Sequence, residues 1–206
     1  MKSHMTKVKF PLVVFIPMLF LLSCTGIGKT PQHLAASLET TPLKTLAIYP
    51  VSYTARYAEP LDVRLSRIIL RATEKQLQAR GYDTLILSNE LLPASDKVDT
   101  LALEPTDITA GLAEGVDGVV VIRVLSHFGI DITERTPDTP GPAITINATA
   151  RLISVQNPEE LWRDKGMGRS YSQSLFLRRT QFLVNLNEAV RSLTDNLFHT
   201  FPDRSN

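Results

Sequence analysis

Apolar residues recur with helical spacing in two long stretches of the chain and with strand-like spacing elsewhere. The helical stretches are residues 61–80 and 175–201, where apolar side chains fall on one stripe every three or four positions. Gly81, directly after the first stretch, is the residue type that commonly follows the end of a helix. Five short apolar segments predict strands, at residues 44–50, 82–87, 119–125, 143–155 and 161–171.

The strand segments differ in their expected burial. Residues 119–125 form an apolar run rich in valine, which is typical of a central strand covered on both faces. Residues 143–155 alternate between apolar and polar side chains, so this strand is expected to be half-buried. A turn at residues 157–160 then makes the following segment its hairpin partner.

These elements, with a short helix at residues 106–114, follow one another in the order β-α-β-α-β-β-β-α. Strands separated by helices indicate parallel pairing, and the final hairpin adds antiparallel pairing. The pattern therefore predicts an α/β fold in a single domain at residues 44–202, with a mixed sheet of about five strands and helices packed on it. Residues 203–206 are expected to form a short tail.

The first part of the chain has the pattern of a secretory signal peptide. Lys2, Lys7 and Lys9 precede an apolar run of thirteen residues, 10–22, with no acidic residue between them. A helix that spans a bilayer needs roughly twenty apolar residues, so this run is too short for a transmembrane helix. The pattern predicts a signal peptide over residues 1–23.

The apolar run ends in Leu21, Leu22, Ser23 and Cys24, which contains the only cysteine of the chain. This segment resembles the lipobox of bacterial lipoproteins, and the resemblance implies that the Cys24 thiol is diacylated and that cleavage before it makes Cys24 the mature N-terminus. Two or more acyl chains meet the requirement for durable membrane anchoring. The alternative is a buried free cysteine in an N-terminal helix.

Two further expectations depend on this resemblance. Thr25 stands where an Asp would imply retention in the inner membrane, so the resemblance implies a lipid anchor in the bacterial outer membrane, facing the periplasm. Residues 24–43 are expected to be a lipidated N-terminus and flexible tether, because Gly, Thr, Ser and Pro are common there and apolar periodicity is weak.

Charge and composition narrow the classes of partner. Three of the 22 Lys and Arg residues lie in the predicted signal peptide, which leaves 19 against 21 Asp and Glu, a net charge near −2. No global positive field is available to attract nucleic acid, so no nucleic-acid partner is predicted. If Cys24 is acylated, the mature chain has no cysteine left for a disulfide.

Three short segments together resemble a known group of envelope proteins. They are Gly81-Tyr82, the Gly115-Val116-Asp117 turn before the apolar strand, and the segment from Arg151 to Trp162. They are similar to the envelope lipoproteins related to the curli-secretion lipoprotein CsgG, the polysaccharide-export lipoprotein PelC and the amino-terminal domain of TolB. The resemblance covers roughly residues 44–200.

The resemblance implies a non-enzymatic protein, and several members of this group form rings or accessory complexes at the outer membrane. Membrane-inserted hairpins need strands of about nine to eleven residues of alternating polarity. Residues 126–142 are too short and too rich in proline for this, so the resemblance favours the members that form no pore.

The sequence predicts no catalytic residue, no metal ion and no cofactor. The mature chain would contain only His33, His127 and His199, and no nucleophile elbow, zinc-protease motif or paired metal-ligand spacing is present. The best catalytic candidate is His127 beside Ser126 at the end of the buried strand. The preferred interpretation is a polar pair that caps the strand, whereas a hydrolase would need His127 near an acid and a nucleophile.

Four apolar residues are candidates for contacts with a partner or a second copy. Val63, Leu70 and Leu77 form a narrow seam along the first long helix, and Trp162 begins the last strand. Buried aromatic residues dominate many interfaces, but the same residue types also fill cores. Packing inside the domain is the preferred interpretation for both the seam and Trp162.

The sequence as a whole favours a non-enzymatic accessory or scaffold in envelope export or assembly. Its expected partners are the membrane, through the lipid anchor, and other envelope proteins or further copies of itself. The alternative is a periplasmic module that binds a small molecule or lipid for a transport system. That alternative predicts an apolar cavity between helix and sheet.

Overall fold

A mixed sheet of seven strands lies at the centre of the structure. The computed structural model describes residues 29–54, 59–87, 103–112, 114–127, 142–171 and 179–204. The predicted signal peptide, Leu21 to Ser23 and Cys24 lie outside these residues. The strands are β1 (His33–Leu34), β2 (Thr45–Ile48), β3 (Ser52–Tyr53), β4 (Asp83–Ile86), β5 (Gly118–His127), β6 (Pro142–Ser154) and β7 (Glu160–Tyr171).

The strand order is β1-β7-β6-β5-β2-β4, and β3 pairs with β5. Strand β2 runs parallel to β4 and β5, whereas β5, β6, β7 and β1 pair in antiparallel fashion. The predicted mixed α/β sheet is therefore confirmed, but the predicted count of about five strands is too low. The two additional strands, β1 and β3, have two residues each, which is too short to show a period in the sequence.

Three α-helices accompany the sheet in the described part of the chain: α1 (Glu59–Ala79), α2 (Pro105–Thr109) and α3 (Arg179–Leu197). Helices α1 and α3 pack against each other and against one face of the sheet, called here the helix face. Gly81 follows α1 with φ of 86°, in the left-handed region that glycine adopts without strain. The predicted stripe of α1 is confirmed at Leu65 and Ile69, which are fully buried.

Helix α3 lies directly on β7 because two positions of that strand have no side chain. A Cβ atom added to Gly168 would lie 2.0 Å from the carbonyl oxygen of Ala189, and one added to Gly166 would lie 2.8 Å from Leu197 Cβ. Trp162, on the same side of the strand, packs beside the end of the helix. From Trp162 onward, even-numbered residues of β7 therefore face the helix, and odd-numbered residues face the opposite side. A register shift between Glu160 and Trp162 breaks this alternation at the start of the strand.

The side of the sheet opposite α1 and α3 is called here the open face. Ile108 of α2 packs on it against Val119, Val121 and Ile153, in a second and smaller apolar cluster. Strand β5 consequently has buried apolar side chains on both faces, as its valine-rich sequence predicts.

Asp117 joins the starts of strands that are distant in sequence. Its Oδ2 atom accepts hydrogen bonds from the backbone N–H groups of Lys44 and Thr45, each at 2.8 Å. Its own backbone N–H donates to the Thr45 carbonyl at 2.9 Å, and its carbonyl accepts from the Val155 N–H at 3.0 Å. Gly115, with φ of 88°, provides the turn that brings Asp117 to this position.

The compact unit begins at Pro31 and not at residue 44. Strand β1 pairs with β7, and the Ala35 N–H donates to the Leu161 carbonyl at 2.9 Å. A 3-10 helix at Ala36–Glu39 follows, with Leu38 packed against the core. Residues 31–43, which the sequence places in a flexible tether, thus pack with the domain.

The C-terminal segment is held against the end of α1. Arg80 Nη2 donates to the Phe198 carbonyl at 2.7 Å, and the Arg204 N–H donates to the Arg80 carbonyl at 3.1 Å. The Tyr82 hydroxyl donates to the Pro202 carbonyl at 3.3 Å, and burial, with the nearby Asp203 carboxylate, raises the pKa of this phenol. Arg204, in the expected tail, is therefore bound to the domain.

We expect Gly168→Ala to lower the free energy of unfolding by at least about 2 kcal/mol, because its methyl group would displace the α3 backbone. Urea unfolding followed by circular dichroism measures this. The control is Met167→Ala, because Met167 is exposed and faces away from α3. It should change the free energy of unfolding by less than about 0.5 kcal/mol. Equal stabilities for the two variants would contradict the close approach of α3 to β7.

We expect Asp117→Ala to lower the free energy of unfolding by about 1–2 kcal/mol, because two backbone N–H groups lose their acceptor. Asp117→Asn keeps one side-chain carbonyl oxygen and should cost less. Thermal unfolding of the three proteins would show this order, and an Asn variant as unstable as the Ala variant would argue against the proposed role of the acceptor.

Candidate functional site

Trp162 is part of the core. Its ring lies 5.9 Å from that of Phe198 and 4.9 Å from that of Phe201, centroid to centroid, and its side chain is fully buried. Its Nε1 donates to Thr200 Oγ1 at 3.1 Å, and the Thr200 hydroxyl donates to Asp164 Oδ2 at 2.8 Å. A partner cannot reach Trp162 in this structure, so the hypothesis that it anchors a partner is wrong and core packing applies.

The predicted seam of α1 does not form one surface. Leu77 is fully buried and Leu70 packs partly against the core, whereas Val63 is 59% exposed. A seven-residue repeat drifts by about 20° per heptad around a straight helix, so its members need not share one environment. Leu77 belongs to the core, and only Val63 is open to a partner.

Ser126 and His127 lie on opposite faces of the sheet. The Ser126 hydroxyl accepts a hydrogen bond from Asn147 Nδ2 at 2.8 Å on the open face. The His127 ring is buried on the helix face, with its centroid 5.5 Å from that of Tyr53. Strand alternation separates the two side chains, so they do not form a nucleophile–base pair.

The open face of β5, β6 and β7 carries basic side chains in adjacent positions. Register places Val121, Arg151 and Arg163 in one row across the three strands, and Arg123, Thr149 and Lys165 in the next. Arg169 follows on β7, paired with Thr145. The basic members of this surface are Arg123, Arg151, Arg163, Lys165 and Arg169, and the acidic residue beside them is Glu160.

Glu160 pairs with two of these basic side chains. Its carboxylate contacts Arg151 Nε, and it lies 2.7 Å from both Arg163 Nε and Arg163 Nη2. Arg151 also donates from Nη1 to the Leu103 carbonyl at 3.3 Å, which ties this residue to the segment around α2. One carboxylate therefore lies between two guanidinium groups, in charge-assisted contacts.

Strand β7 presents the accessible part of this surface. Arg163, Lys165, Met167 and Arg169 alternate with residues that face α3, and they are called here the basic row. Lys165 and Arg169 are exposed, the Arg163 side chain is 41% exposed, and Met167 is 40% exposed. In the sequence, the only signal for this row is three basic residues at odd-numbered positions of one strand, and that pattern does not show which face of the sheet they occupy.

Helix α3 leaves no room for a ligand where it covers β7. Its backbone approaches Gly166 and Gly168 so closely that even a methyl group would not fit. A cavity between helix and sheet, as the small-molecule alternative predicts, is therefore excluded at this contact.

Two further observations concern the described ranges alone. They contain no group of three or more His, Cys, Asp or Glu side chains placed to hold a metal ion. None of their helices is long and apolar enough to cross a membrane.

No protein-family model matches the chain, and no curated protein matches it. Solved structures do resemble it. The PelC dodecamer from Paraburkholderia phytofirmans is 14% identical with a TM-score of 0.49, over 79% of this chain and 89% of that chain. Lipoprotein GNA1162 from Neisseria meningitidis is 19% identical with a TM-score of 0.43, over 68% of this chain and 92% of that chain.

The hypothetical protein CT253 from Chlamydia trachomatis is 17% identical with a TM-score of 0.46, over 77% of this chain and 92% of that chain. At such identities and scores the similarity concerns the fold alone. The grouping with CsgG, PelC and TolB stays a prediction.

We expect Thr200→Val to lower the free energy of unfolding by about 1–3 kcal/mol, because it removes the hydroxyl between Trp162 and Asp164. Thr200→Ser keeps the hydroxyl and should retain most of the stability. The fluorescence of the single tryptophan reports the change at its own site. A Ser variant as destabilised as the Val variant would show that the methyl group, and not the hydroxyl, matters here.

Proposed function

We propose that this chain is a lipid-anchored protein of the bacterial envelope, with acyl chains on Cys24 and a periplasmic α/β domain. The observation that carries the proposal is the segment from Leu21 to Cys24, placed directly after a basic flank and a short apolar run. The compact unit begins seven residues after Cys24, at Pro31, so a folded domain follows the anchor closely. Thr25 in place of Asp favours the outer membrane.

The domain itself acts, in this proposal, as a non-enzymatic accessory or scaffold in envelope export or assembly. Several observations support this proposal. Ser126 and His127, the best catalytic candidates, face opposite sides of the sheet. Asp117 and Trp162, which lie in the segments that resemble the envelope-lipoprotein family, stabilise the fold. The open face offers charged and polar side chains on rigid strands, which suits contact with other surfaces.

The proposed partners are the membrane, through the anchor, and other envelope proteins or further copies of this chain. The small-molecule alternative receives no support from the α3–β7 contact, where the two backbones touch. Val63 remains available on α1 for contacts with proteins.

We expect the full chain, produced in a Gram-negative bacterium with radiolabelled palmitate, to incorporate the label and to fractionate with the outer membrane. Cys24→Ser should abolish labelling and should leave the first 23 residues attached, because acylation precedes cleavage at a lipobox. Mass spectrometry of the purified protein measures both modifications directly.

Ser23→Ala serves as the matched control, because it keeps a small residue before the cysteine and should be processed normally. An unmodified Cys24 thiol in a chain that still carries residues 1–23 would overturn the proposed anchor. Labelled protein in the inner-membrane fraction would overturn the proposed location alone.

A further inference from the structure

Two basic surfaces lie on opposite sides of the sheet. One is the basic row of β7, on the open face. The other is a stripe on the outer side of α1, whose exposed members are Arg64, Arg67, Arg71 and Lys75. The mature chain has a net charge near −2, so each surface gathers basic side chains within a mildly acidic protein. Charge by itself does not distinguish them.

The position of the anchor distinguishes them. Strand β1, two residues after the start of the compact unit, lies at one edge of the sheet beside β7, and His33 pairs with Arg163. Helix α1 contacts β2 and β4, and β4 is the opposite edge. Five strand spacings separate β1 from β4 in the sheet order, which amounts to about 24 Å.

The chain between the anchor and the domain is short on the same scale. Six residues lie between Cys24 and Pro31, and the seven Cα–Cα steps from one to the other span at most about 25 Å when fully extended. An acylated Cys24 therefore limits the distance of the β1–β7 edge from the headgroup region to about 25 Å. The α1 stripe, toward the opposite edge, can lie about 24 Å farther away.

The composition of the basic row suits a lipid surface. Lys165 and Arg169 are exposed, and Met167 between them exposes an unbranched apolar side chain on the same face. Basic residues around an apolar one can contact phosphate groups while the apolar side chain enters the interface. Glu160 pairs with Arg151 and Arg163, at the end of the basic row nearest β1.

We propose that the basic row docks the domain onto the anionic phospholipid headgroups of the membrane that holds its anchor. The inference rests on the proposed lipid anchor for its geometry. It adds an orientation to that function: the open face lies against the membrane, and α1 and α3 point away from it, toward protein partners.

The test uses the mature chain, residues 24–206 with Cys24→Ser, so that no acyl chain contributes to binding. Sedimentation with vesicles of phosphatidylglycerol and phosphatidylcholine in equal parts measures the lipid concentration at half-saturation, with pure phosphatidylcholine as reference. We expect binding to the anionic vesicles alone, and we expect it to weaken from about 0.1 M to about 1 M salt as screening increases.

The double variant Lys165→Gln with Arg169→Gln should raise the half-saturating lipid concentration about 25-fold. Each basic residue near an anionic surface contributes about 5-fold to binding, and the two factors multiply. The matched control, Arg67→Gln with Arg71→Gln, removes the same charge from α1. It should change the half-saturating lipid concentration by less than about 3-fold, because α1 lies on the other side of the sheet from the docked face. Circular dichroism of both double variants checks that the fold is retained.

Absence of binding to anionic vesicles would overturn the docking proposal, and so would an equal or larger loss in the α1 variant. Neither result would touch the lipid anchor, because the palmitate experiment tests Cys24 independently. The reverse combination is also distinguishable. If the vesicle experiment shows charge-dependent binding and the palmitate experiment shows no acylation of Cys24, the basic row is a membrane-binding surface and the proposed lipid anchor is wrong.

Discussion

The contact between α3 and β7 is the constraint on which the rest of the structure depends. Gly166 and Gly168 allow the helix backbone to rest on the strand, and Trp162, Phe198 and Phe201 pack at the end of this contact. Because interiors are close-packed, such an approach leaves no freedom for side chains on that side of the strand. The α3–β7 contact therefore buries one face of β7 in the core and leaves the side chains of the other face on the open face of the sheet.

Residues that make the sequence resemble an envelope-lipoprotein family serve the fold in this structure. Gly81 ends α1, Asp117 ties the start of β2 to the start of β5, and Trp162 fills the core. Arg151 lies beside Glu160 and the Leu103 carbonyl. A sequence resemblance that rests on such residues therefore concerns the architecture of the domain and not its chemistry.

The distribution of charge matters more here than its total. A net charge near −2 indicates no affinity for an anionic surface, yet β7 gathers three basic side chains on one face. Because side chains alternate along the strand, Asp164 is buried and accepts a hydrogen bond from the Thr200 hydroxyl, whereas the neighbouring Lys165 is exposed. The same alternation separates Ser126 from His127, so one geometric rule both builds the basic row and divides the only suggested catalytic pair.

The sequence by itself determined the long elements, because helices and strands with a buried face repeat their apolar residues at a characteristic period. It indicated α1, α3, the buried strand β5 and the β6–β7 hairpin, and it marked Cys24 through a local pattern. It could not show β1 and β3, which are too short to have a period, nor the close approach at Gly166 and Gly168. Tertiary structure alone decided which side of each strand faces α3, and therefore which charges share a surface, because register between strands distant in sequence is set by packing and leaves no local signal.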